Sequence, residues 1–114
     1  MSIPARAKTL CGGKLEKYTL VPSTILPIPD ESNLFALEGS ATVSQMVPSS
    51  ATRNRKVLFY QVSGTTEFAN SGASGTVNQI HAGSADSVSI AQDDVAEFVL
   101  NSNGLWVLTI LTDN

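Results

Sequence analysis

Apolar and polar residues alternate along much of this chain, and no segment repeats at the three-to-four spacing of an amphipathic helix. Over residues 41–47, Ala41, Val43, Gln45 and Val47 alternate with Thr42, Ser44 and Met46, which predicts one strand. Val57-Leu58-Phe59-Tyr60-Gln61-Val62 has the β-branched and aromatic content of a buried strand. Further strands are predicted at Leu34–Leu37, Thr65–Phe68, Thr76–Ile80, Ser87–Ile90, Val95–Leu100 and Leu105–Leu111. Glu38-Gly39-Ser40 and Ser63-Gly64 are turn signals, and 48–52 and 69–75 read as loops. Asn101-Ser102-Asn103-Gly104 predicts a hairpin, with a type I′ turn at its Asn-Gly pair. Short strands with turns at this spacing predict an all-β fold, a jelly-roll-like β-sandwich or barrel.

The first 30 residues differ. Pro4, Pro22, Pro27 and Pro29 are four of the five prolines, and Gly12-Gly13 interrupts any helix. Proline fixes φ and disfavours the helical region for its predecessor, so residues 1–30 are expected to form an extended arm before a β domain at 31–114. Tyr18–Val21 and Thr24–Leu26 are β-prone pieces within it. Such an arm can add a strand to a partner's sheet, or fold back as an edge strand of its own domain.

Composition narrows the field. At 114 residues there is room for one domain, and 42% hydrophobic content with a mean hydropathy of +0.08 excludes a disordered tail. No run approaches the ~20 apolar residues of a membrane helix. Charged residues are only 15%, while serine and threonine together number 24, so the wetted surface is largely hydroxyl and amide. Cys11 is the single cysteine, which excludes an intrachain disulfide and fits a reducing cytoplasm. Leu10-Cys11-Gly12-Gly13 looks superficially like a lipoprotein cleavage site, but Lys8 and the lack of an apolar run before it argue against export.

The net charge of −3 is unevenly spread. Arg6, Lys8, Lys14 and Lys17 against Glu16 make residues 1–29 locally +3, and Arg53, Arg55 and Lys56 form a second basic cluster. From Val57 onward the charge is −6. A basic segment on an acidic chain is expected to meet an acidic surface, such as a neighbouring subunit. A pI near 4.9, with no aromatics among the basic residues, argues against nucleic acid.

Candidate chemistry is sparse. His81 is the only histidine, and no nucleophile elbow, phosphate loop, dinucleotide fingerprint or Cys/His metal set is present. Asp86, Asp93, Asp94 and Glu97 are the densest carboxylates, but they lack calcium-loop spacing, and Asp93-Asp94 reads more simply as a turn between strands. Trp106 lies in an apolar strand and is expected in the core or a subunit interface. No catalytic residue, metal or cofactor is therefore expected.

In their order and spacing, several pieces resemble a β module of bacteriophage virion proteins, found in capsid decoration and tail-fibre parts. These are Val57-Leu58-Phe59-Tyr60 after a basic loop, Thr65-Thr66-Glu67-Phe68, Ile80-His81-Ala82-Gly83-Ser84 and Val88-Ser89-Ile90. Asp93-Asp94-Val95-Ala96-Glu97-Phe98 and Asn103-Gly104-Leu105-Trp106 follow. The resemblance covers roughly Leu37 to Leu111 and implies a homotrimer without a catalytic site. A short chain behind a basic arm looks more like a head decoration (cement) protein on the outer capsid surface, made in the bacterial host cytoplasm, than a tail-fibre component. Its expected partner is the major capsid protein. Ile3, Arg6, Lys8, Leu10, Lys14, Lys17, Tyr18, Arg53, Arg55 and Lys56 are the expected capsid- or subunit-binding residues. A carbohydrate-binding β module is the alternative from another class, and it requires exposed aromatics.

Overall fold

The computed structural model describes residues 18–49, 54–71, 76–83 and 87–112. They form strands and no helix: β1 (Thr19–Leu20), β2 (Ile25–Ile28), β3 (Leu34–Glu38), β4 (Ala41–Val43), β5 (Gln45–Pro48) and β6 (Lys56–Ser63). β7 (Thr66–Ala69), β8 (Ile80–His81), β9 (Ser87–Ile90), β10 (Val95–Leu100) and β11 (Trp106–Thr112) complete the set. Three sheets enclose one core. Sheet A has the order β1-β3-β6-β10-β11-β8, sheet B pairs β2 with β5, and sheet C has the order β4-β7-β9.

The connectivity is a coil. β2, β3 and β4 make one circuit of the three sheets, and β5, β6 and β7 make the next directly upon it. Each strand pairs parallel with its successor: Ile25 opposite Gln45, Leu34 opposite Leu58, Ala41 opposite Thr66. β9 and β10 then reverse direction and lie antiparallel on β7 and β6, and β11 returns antiparallel to β10. This stacking suggests a short solenoid closed by a hairpin. The all-β expectation holds, but the jelly-roll-like sandwich or barrel is not confirmed. Jelly rolls pair their strands antiparallel, whereas five of the eight ladders here are parallel. Alternation reports that a strand is half-buried, and says nothing about the direction of its neighbour.

A spine of aromatic rings holds the circuits together. The Tyr18 ring meets Phe35 edge-on at 5.5 Å, and Phe35 lies 5.9 Å from Phe59. Phe59 in turn meets Phe68 and Phe98, which are 4.9 Å from one another. Leu26, Ile28, Val43, Met46, Ile90 and Trp106 fill the remaining space from all three sheets. The Trp106 indole is fully buried and donates from Nε1 to the Met46 carbonyl at 2.7 Å, satisfying its one polar atom.

Where sheet A passes to sheet C, two turns lie one above the other. Gly39 and Gly64 both have positive φ, at 125° and 78°. A Cβ on Gly64 would run into the Gly39 carbonyl, far inside contact distance, so only glycine permits this approach. Beside them Gln61 is fully buried; its amide donates to the carbonyls of Gly39 and Ser63 and accepts from the Thr66 hydroxyl at 2.7 Å. One side chain thereby ties two circuits together with no polar atom left unpaired.

Several sequence expectations change. Residues 41–47 are not one strand: Ser44 is a corner, its backbone and hydroxyl both donating to the Thr24 carbonyl. The corner resets the alternation, so that Val43 and Met46 are both buried. Most of 76–80 is a turn with Asn78 at φ 72°, and only Ile80 is in a strand. The hairpin at 101–104 forms, yet Asn103 is not left-handed. Gly104 alone has positive φ, and Asn101 closes a three-residue loop through its backbone and side chain. Residues 18–30 build β1 and β2, placing Leu26 and Ile28 in the core.

Candidate interaction surface

Alternation along a strand gives each sheet an inner and an outer face, and the three outer faces differ. On sheet C the outer row is Thr42–Glu67–Ser89. The Glu67 carboxylate accepts from the hydroxyls of Thr42 at 3.0 Å and Ser87 at 2.8 Å, forming a hydrogen-bonded polar surface. Sheet B is mixed, with Ile25 and Val47 exposed beside Gln45.

Sheet A is apolar on its inner side and partly apolar on its outer side. Phe35, Leu37, Val57, Phe59, Ala96, Phe98 and Trp106 point into the core. Outward, the pairing aligns three rows: Lys56–Val99–Val107–His81, Leu34–Leu58–Glu97–Ile110 and Ala36–Tyr60–Val95–Thr112. On this outer face Leu34, Ala36 and Val62 form a second apolar cluster, with Leu58 and Tyr60 packed against it. All five belong to β3 and β6, so sheets B and C contribute nothing to the cluster. Near-continuous apolar runs are characteristic of strands covered on both faces, and Leu34-Phe35-Ala36-Leu37 is such a run, buried at all four positions.

Polar groups border the face. The Tyr60 hydroxyl donates to Asp93 Oδ1 at 2.7 Å. That bond, with burial second, raises the phenol above its ordinary pKa. Asp93 and Asp94 sit in a turn, as expected: the Asp94 amide donates to the Ala91 carbonyl, and Asp94 Oδ2 accepts from the Ala91 amide. Glu97 accepts from the Thr109 hydroxyl at 2.7 Å, where an extra residue bulges β11.

Of the expected binding residues, Ile3, Arg6, Lys8, Leu10, Lys14, Lys17 and Arg53 lie outside the described residues. Tyr18 is half-buried, its ring against Phe35. Lys56 is exposed at the end of β6. Arg55 lies against the 29–33 turn. Its guanidinium donates to the carbonyls of Pro29 and Ser32 and to Asn33 Oδ1, and pairs with Asp30 at 3.3 Å, leaving the side chain 9% exposed. Burial lowers its pKa, opposed by Asp30 and Glu31. It clamps the 29–33 turn onto the domain instead of reaching outward.

His81 closes the first outer row, with its Nδ1 buried and without a hydrogen-bond partner. Among the described residues no three His, Cys, Asp or Glu side chains converge as metal ligands. The five Phe and Trp rings are fully buried, and both tyrosines are half-buried, so no aromatic ring forms an exposed platform. In comparisons with known proteins, no family model, curated protein or solved structure matches the chain.

Proposed function

We propose that the chain is a bacteriophage virion structural protein that acts by association: a head decoration (cement) protein. In this reading it sits on the outer capsid surface as a homotrimer and stabilises adjacent major capsid proteins. The observation that carries the reading is the largely apolar outer face of sheet A on an all-β domain. The module resemblance over Leu37–Leu111 supplies the context. Arg6, Lys8, Lys14 and Lys17, together with exposed Lys56, steer the chain onto an acidic capsid surface. Three copies on one trimer act multivalently, so modest affinity at each site gives long residence.

One observation favours a second reading, a short tail or tail-fibre component. Circuits stacked parallel, one upon the next, grow along a single axis, which is the geometry of a fibre segment. Two measurements test the first reading against it. Light scattering on the gel-filtered chain should give about three times its 12.0 kDa mass. Co-sedimentation with expanded, undecorated capsids should then show saturable binding that falls when Arg6, Lys8, Lys14 and Lys17 are all changed to Glu. A monomer that ignores capsids overturns the cement reading, and binding to tail preparations alone selects the fibre reading.

A further inference from the structure

We infer that the outer face of sheet B is the surface through which copies of this chain meet one another. The inference rests on the homotrimer reading and assigns the contact that builds the trimer, leaving the outer face of sheet A for the capsid.

Alternation fixes what this face presents. Leu26, Ile28 and Met46 point into the core, so Ile25, Pro27, Gln45 and Val47 stand outward. Ile25 is 56% exposed and Val47 37%. The Gln45 amide donates toward β2, to the Thr24 carbonyl, and the Met46 amide donates the other way, to the Asn78 carbonyl at 2.9 Å. The 76–79 turn therefore lies along the far edge of β5, and it brings Val77, 55% exposed. Three of the six large apolar side chains exposed among the described residues thus come from this small sheet and its flanking turn.

Charge selects the occupant. No Asp, Glu, Lys or Arg occurs in residues 18–29, 39–52 or 68–85, the stretches that supply β2, β5 and the turn. The next charged residue after β2, Asp30, is already paired with Arg55. Each chain carries −3 overall, so two copies repel unless they meet where like charges are absent. Sheet C would bring Glu67 to such a contact, and sheet A would bring Glu97 and Lys56. Of the three outer faces, only that of sheet B has no charged side chain to strip of water. An acidic or basic partner gains nothing on it, whereas a second copy meets it without penalty.

The strand order sets the mode of contact. β2 is an edge strand, and its Pro27 has no amide to offer an added strand, so the copies pack face to face. The face is two strands wide, small beside a standard interface, which makes the association concentration-dependent. Closing a three-membered ring lets each face meet two others.

Light scattering over a concentration series tests this on the full-length chain and three single variants. Val47→Lys and Ile25→Lys put a charge at exposed positions of the face. Ser89→Lys puts the same charge on the exposed outer row of sheet C, beside Glu67. Wild type and Ser89→Lys are expected to reach about three times the 12.0 kDa chain mass. The two sheet B variants should stay at one chain mass while their circular dichroism remains that of a β protein, and Ile25→Lys, at the more exposed position, decides if Val47→Lys does not fold. Sheet B variants that keep the wild-type mass, or a Ser89→Lys loss equal to theirs, overturn the assignment and leave the homotrimer reading standing. A wild-type dimer that Val47→Lys splits supports the face and overturns the three-fold number. A wild type that stays monomeric throughout overturns both.

Discussion

The stacked circuits, β2 to β7, and the closing hairpin, β10–β11, use the same strand chemistry but are held by different forces. In the circuits, partners are 20 to 25 positions apart: Ile25 with Gln45, Leu34 with Leu58, Ala41 with Thr66. Each contact therefore costs loop-closure entropy, and it is repaid only when neighbouring circuits fit closely. Hence the fully buried Gln61, the stacked Gly39 and Gly64 turns, and the aromatic spine. The hairpin pairs Leu100 with Trp106 across a short loop that Asn101 closes through its own side chain. The contrast teaches that this fold is most sensitive where one circuit touches the next and most tolerant where strands meet locally.

Two of the positive-φ glycines, Gly64 and Gly104, give the largest expected difference. Gly64→Ala drives a methyl into the Gly39 backbone and is expected to cost about 3 kcal/mol or more, near the upper end for single substitutions. Gly104→Ala also has positive φ, but its nearest neighbour is a side-chain methyl of exposed Val77 at 3.2 Å. It should cost about 1–2 kcal/mol, mostly backbone strain. Urea denaturation of both variants measures the gap; equal losses would show that the circuits are not the sensitive part.

Gln61 comes next. Gln61→Leu removes a partner of the Gly39 carbonyl and the Thr66 hydroxyl, and leaves the Ser63 carbonyl with the Gly39 amide alone. The loss should be about 2–3 kcal/mol. Thr66→Val should be less harmful in the Gln61→Leu background than alone, because it removes one of the orphaned groups; a double-mutant cycle by thermal melting reads this coupling. On the hairpin side, Asn101→Ala removes the acceptor of the exposed Asn103 amide and of the part-buried Leu105 amide. Here about 1 kcal/mol is expected, with the β10–β11 amides exchanging faster and those of β3 and β6 unchanged.

The smallest effect is a pH dependence where the two regions meet. Tyr60 on β6 donates to Asp93, which precedes β10, and this bond raises the phenol's pKa. A raised folded value means that the contribution is complete below the ordinary tyrosine value of about 10 and is lost as pH climbs through the folded value. Tyr60→Phe should therefore melt slightly below wild type near neutral pH, and the difference should vanish in alkali. Melting curves between about pH 8 and pH 12 check it, and a difference that grows with pH would contradict the assignment.

Much of the local structure was readable because its cause is local. Val57–Val62 and Val95–Leu100 are strands because their residues fit a pleated, half-buried surface, and Asp93-Asp94 turns because short acidic side chains bond their own backbone. The circuits also left a trace. Phe35 and Phe59, Gly39 and Gly64, and Val43 and Phe68 recur at a spacing of 24 to 25, a faint repeat with only two copies. Reading Ala41–Val47 as one strand hid it, since Ser44 turns the chain through a bond to Thr24, 20 residues earlier.

By itself the sequence determined an all-β chain: where most strands lie, where the Asp93–Asp94 and Asn101–Gly104 turns fall, and that its acidic body carries a basic N-terminal segment. Each of these depends on a side chain and its immediate neighbours. The tertiary structure alone decided that β2, β3 and β4 pair parallel with β5, β6 and β7, that Arg55 clamps its own turn, and that sheet A is partly apolar on its outer face. Those outcomes depend on which distant residues meet, and alternation has the same period of two whichever strand lies alongside.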